Sequence, residues 1–143
     1  MIERGYSGRF VIAPEEKAAL DQELLGRFEN SKSFKWVDLR QINVSKIPRN
    51  IVNIIEGLTG GAKTITSFFA IKTVDYIPLH RHDADGEVYF GGFNARVALH
   101  DTNKNFIGEF DLADDVFTVT HVGEWHGTDC GCGFHTFFGV KFV

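Results

Sequence analysis

After Ser31 the chain shifts to short apolar and β-branched runs broken by Gly, Asn and Asp. Such runs with turn residues between them predict strands. They fall at Phe34–Leu39, Thr64–Ile71, Val74–His82, Glu87–Phe90, Ala95–His100, Phe106–Leu112, Val116–His121 and Phe134–Val143. A further short apolar run, Ile51–Ile55, follows Pro48 and is read with the strands. Turns are expected at Gly91–Asn94, Asp101–Asn105, Asp114–Asp115 and Cys130–Gly133. Many short strands at even spacing predict a β-sandwich or barrel. One segment breaks the pattern. Pro14–Phe28 starts with Pro, carries Glu15 and Glu16 early, and repeats Leu20, Leu24 and Phe28 on one face. It predicts a helix packed on the outside of the main body.

Composition narrows the class. At 143 residues one globular domain is expected, and 43% apolar residues suffice for a core. Fourteen Phe and fifteen Gly favour strands and tight turns. A net charge of -4 with scattered Lys and Arg gives no basic stripe, so no nucleic-acid partner is expected. The first residues do not read as a secretory signal, and no stretch is apolar enough to span a membrane. A cytoplasmic protein is the expectation. Cys130 and Cys132 are too close for an easy disulfide, and no further Cys is present to complete a zinc cluster.

The chemistry concentrates in four residues. His80 and His82 are two apart, so on a strand they share a face. Asp83–Gly86 is turn-forming and can return the chain to place Glu87 beside them. His126 lies far on, inside Gly123-Glu124-Trp125-His126-Gly127. Three imidazoles and a carboxylate suit one divalent transition metal: iron, manganese, zinc or nickel.

His80-Arg81-His82, four residues and then Glu87 resembles the first motif of the cupins, and Gly123–Gly127 resembles the second. The likeness covers residues 64–143. His121-Val122 stand where the second motif expects a proline. The resemblance implies a mainly all-β double-stranded antiparallel β-helix, or jelly-roll barrel, at 61–143. Residues 1–60 would then be an N-terminal helix-containing extension packed on it. It also implies His80, His82, Glu87 and His126 as metal ligands, and by analogy a homodimer.

Around that centre, Tyr89 shares the strand parity of Glu87 and should face the same cavity. Tyr89, His121 and Glu124 are the candidates for acid–base catalysis. His135 shares parity with Phe137 and Lys141 on the last strand, a face that parity alone leaves ambiguous. Three functions fit a small-molecule substrate. The first is a metal-dependent isomerase, epimerase or lyase on a small polar metabolite such as a sugar derivative. The others are an iron(II)-dependent dioxygenase and a non-catalytic sensor of a small ligand or metal. Gly57–Thr64 approaches a phosphate-binding loop, but Ala62 replaces its second glycine and β-formers follow where a helix is required.

Overall fold

The computed structural model describes residues 7–25, 32–34, 37–61, 65–93, 95–112 and 115–143. Among the described residues, nine strands and two α-helices follow one another. The N-terminal part holds β1 (Ser7–Arg9), α1 (Pro14–Leu25), β2 (Lys32–Phe34), β3 (Val37–Ile42) and α2 (Arg49–Thr59). The rest is strand: β4 (Ile65–His80), β5 (Gly86–Phe93), β6 (Ala95–His100), β7 (Phe106–Leu112), β8 (Val116–Thr120) and β9 (His126–Phe142).

All the pairings are antiparallel. The main path runs β1-β8-β5-β9-β4-β3-β2. The β6–β7 hairpin joins it through the first residues of β9, with Val97, Ala98 and Leu99 opposite Thr128, Gly127 and His126. β9 therefore serves both layers, pairing with β4, β5 and β6. The result is a jelly-roll whose sheets do not close into a barrel. β7 lies against β8 and β5 without a hydrogen-bonded ladder to either.

Strand parity divides the apolar residues into two cores. Phe68, Ala70, Val88, Phe90, Phe138 and Val140 face the helices, where Leu20 of α1 and Ile51 and Ile55 of α2 meet them. Phe69, Ile71, Tyr89 and Phe137 face the other way, toward Val97 and Leu99 of the β6–β7 hairpin.

The region 49–59 is a helix, not a strand. Ile51, Ile54, Ile55 and Leu58 fall at helical spacing, Ile51 and Ile55 are fully buried, and Gly60 ends the helix in the left-handed conformation (φ 65°). Glu16 ties the two helices together. Its side chain accepts from the Ala13 backbone N–H and from that of Arg49, the otherwise unpaired start of α2. In α1 Leu20 is buried; Phe28 lies outside the described residues.

Two predicted strands, Thr64–Ile71 and Val74–His82, are one continuous strand that stops at His80. Likewise β9 starts at His126 and runs through the expected 130–133 turn. The turn survives as a bulge. Asp129 pairs with Tyr76 and Phe134 with Val74, so four residues of β9 oppose Asp75 alone. The side chains of Cys130, Cys132 and His135 lie outside the described residues.

Candidate metal centre

His80 is the last residue of β4 and pairs directly with His126, the first of β9, with ring centroids 4.4 Å apart. His82 lies past the end of β4, in the loop to β5, and not on a strand beside His80 as its spacing suggests. A backbone tie holds that loop. The N–H of Gly123, in the β8–β9 turn, donates to the His82 carbonyl at 2.8 Å. Gly123 has φ 81°, a conformation that favours glycine. The nitrogens that His80, His82 and His126 can offer to a metal all lie within 4.8 Å of one another.

Glu87 joins from the start of β5. Its Oε1 is 2.6 Å from His82 Nε2 and 3.7 Å from His126 Nε2. The carboxylate is buried, and Oε1 has no donor aligned with it. A buried anionic oxygen without a hydrogen bond is costly, and a cation beside it would remove the cost.

The protonation pattern fits a cation as well. His80 Nδ1–H donates to the Pro78 carbonyl at 2.7 Å, and His126 Nδ1–H donates to the Glu124 carbonyl at 3.1 Å. A carbonyl can only accept, so both rings carry their proton on Nδ1 and turn the Nε2 lone pair inward. Tyr89 O–H donates to His126 Nε2 at 3.0 Å. Burial, then the neighbouring His80, pushes His126 down to about 4 against the pull of Glu87, so its ring is neutral near pH 7. Neutral imidazole is the form that ligates. Burial pushes Glu87 up, but the close His82 and His126 rings outweigh it and hold the carboxyl below its ordinary value. Burial and the Glu87 charge push the Tyr89 phenol well above its ordinary value. The phenol thus keeps its proton near neutrality. The cluster fits a divalent metal ion.

The centre opens into a cavity of about 150 Å³. Leu39, Phe69, Ile71, Ile77, Val97 and Phe137 form apolar walls. Its polar lining is the three histidines, Glu87, Tyr89, Thr128 and Lys141. The Thr128 hydroxyl already accepts from the Ile77 N–H at 2.8 Å. Gly127 lets β9 lie against β4 here: a Cβ on it would stand 2.7 Å from the Ile77 carbonyl oxygen.

The other two sequence-nominated catalytic residues do not border this cavity. Glu124 is buried, and its Oε1 accepts from the backbone N–H and Nδ1 of His121 at 2.7 and 3.0 Å. The pair closes the β8–β9 turn and supports the loop that presents His126. Lys141 escaped the sequence reading as a site residue. The signal was its parity with Phe137 at the end of β9, together with its being the only Lys or Arg in the sequence of β9.

Comparison of the fold with solved structures decides its kind. AviO1 from Streptomyces viridochromogenes Tue57 aligns with a TM-score of 0.67 at 10% identity, over 98% of this chain and 90% of its own. An oxidoreductase of the 2OG-Fe(II) oxygenase family from Burkholderia pseudomallei aligns with a TM-score of 0.62 at 13% identity, over 91% and 78%. The Lactobacillus farciminis oxalate decarboxylase aligns with a TM-score of 0.51 at 16% identity, over 78% of this chain but only 30% of its own. The chain has the cupin fold. In sequence, no family model and no curated protein matches it. The cupin β-structure carries the histidine cluster where its strands β4 and β9 meet. Among the described residues, no helix is long and apolar enough to cross a membrane.

Proposed function

We propose that the protein is an iron(II)-dependent oxygenase of the cupin type, acting on a small, largely apolar substrate. His80, His82, His126 and Glu87 hold the metal in this reading. The carrying observation is the joining of that donor set to a small apolar cavity. Three imidazoles and one carboxylate would hold such an ion without filling its coordination, so it could still meet a substrate. Iron bound there would supply the activation of oxygen.

The chain's own residues do the rest. Phe69, Ile71, Val97 and Phe137 exclude water and shape the substrate site. The Tyr89 hydroxyl stands 3.0 Å from the His126 nitrogen that faces the ion site, placed to donate to an anionic oxygen of the substrate. The Nδ1 anchors of His80 and His126 keep both rings aimed. An Fe(II) oxygenase-family neighbour of the same fold supports the reading. A sugar isomerase or epimerase comes second, because these walls offer few partners to a polyhydroxylated substrate.

Oxygen uptake by iron-loaded protein with a panel of small aromatic and aliphatic compounds tests the proposal, with zinc-loaded protein as the control. Substrate-stimulated uptake is expected with iron alone. Turnover of a substrate by the zinc form without oxygen consumption would overturn the oxygenase reading. His82→Ala and His126→Ala should each lose stoichiometric metal while staying folded. Full occupancy in both, by elemental analysis, would reject the ligand set.

A further inference from the structure

Among the described residues, Lys141 is the one Lys or Arg side chain that lines the cavity. It lies one residue from the end of β9, directly across from Glu87 on β5, so both side chains leave the sheet on the cavity face. Yet the two form no ion pair: the ionic contacts of Glu87 are with His82 and His126. The Lys141 ammonium stands instead 5.9 Å from the centroid of the Phe69 ring, itself part of the cavity wall. Among the described residues no carboxylate is paired with it. A half-buried ammonium held over an aromatic wall, and left without an anion, is an arrangement that an anionic ligand would complete.

We propose that Lys141 anchors a carboxylate of the substrate, so that the cavity selects small apolar monocarboxylates over their neutral analogues. The dimensions agree. A dry apolar cavity of roughly 150 Å³ is large enough for a benzene ring, and that is the volume here. The substrate's apolar body would lie against Phe69, Phe137 and Val97. Its carboxylate would meet Lys141, and its reactive end would meet the histidine cluster. This inference rests on the cavity being the substrate site. It does not depend on which reaction occurs there.

Benzoate and its uncharged isostere benzamide are the probes, measured by calorimetry on the full chain, both zinc-loaded and metal-free. Wild-type protein should prefer benzoate by roughly tenfold or more, the scale of one charge-assisted contact. Lys141→Met should erase the preference while leaving zinc affinity unchanged, and Lys141→Arg should retain most of it. Equal binding of the two probes to wild type, or no binding of benzoate, overturns the proposal. A preference that survives in Lys141→Met but vanishes on metal removal assigns the anion to the ion and also overturns it. So does a change of zinc affinity in Lys141→Met with the preference intact, which would make Lys141 a counter-charge to Glu87. None of these outcomes alters the oxygen-uptake result, so the two readings fail separately.

Discussion

On the face of the central sheet turned to the helices, β4, β5 and β9 present Phe68, Ala70, Val88, Phe90, Phe138 and Val140. On the opposite face the intervening positions of the same strands present Phe69, Glu87, Tyr89, Phe137 and Lys141. The first set is closed. Phe90 has the rings of Phe10, Phe68 and Phe138 at 5.4–6.1 Å. The second set encloses a cavity and buries a carboxylate with an unsatisfied oxygen. Stability and chemistry are thus assigned to alternate residues of one backbone. Dense packing on one side is what lets the other keep a hollow and a buried carboxylate.

Changes on each side should report on different properties. The largest effect on folding is expected from Phe90→Ala, which removes the centre of the aromatic stack at about 3–5 kcal/mol. Chemical denaturation should show that loss, with zinc stoichiometry unchanged in whatever protein remains folded. A loss below about 1 kcal/mol would mean that the two faces do not divide the work in this way.

Acid should act on the cavity side. The unfolded chain protonates His126 near pH 6.5, the folded metal-free chain only near pH 4. Between those values the unfolded state binds more protons, so stability falls as pH falls through that window, by up to about 3 kcal/mol. Glu87, held below its ordinary value, adds a loss in the same direction once pH drops under about 4.5. Denaturant midpoints of metal-free protein from pH 7 to 4 would measure the slope, and His126→Ala should flatten its upper part. An unchanged slope in that variant would place the titration elsewhere.

A smaller effect is expected where the two layers touch. Gly127→Ala drives a methyl toward the Ile77 carbonyl and should cost about 1–3 kcal/mol. It should also weaken zinc binding, since His126 is the adjacent residue. Wild-type zinc affinity in this variant would show that the close approach of β4 and β9 serves packing only. The smallest effect should come from Lys104→Ala on the surface. Its Nζ sits 4.0 Å from the Trp125 ring centroid, an exposed contact worth about 0.5–1 kcal/mol. Thermal melting would resolve it, and zinc binding should not move.

How much of this was legible depended on whether the pattern alternates. β6 and β7 match their predicted limits, Ala95–His100 and Phe106–Leu112, because apolar and polar positions there are bounded by clear turn residues. Phe68-Phe69 and Phe137-Phe138 are adjacent pairs. Identical neighbours carry no parity signal, so nothing in the sequence said which ring belonged to the core and which to the cavity wall. The helix at 49–59 was lost because a run of five apolar-rich residues fits either period, and its deciding partner, Leu58, lay beyond the run read. The histidine cluster was legible from spacing and motif. The route by which His82 reaches it was not, since a loop tied through its backbone leaves no mark on residue type. Glu124 and His121 stand near His126 in sequence, but Glu124 Oε1 accepts from His121 instead of lining the cavity.

That tie has a consequence for how the surface beside His82 can diversify. The hydrogen bond from the Gly123 N–H to the His82 carbonyl joins main chain to main chain. The exposed neighbours Arg81 and Val122 can therefore be exchanged without moving the peptide groups they flank. Related chains could acquire new surface side chains on either side of this tie while the His82 imidazole keeps its position.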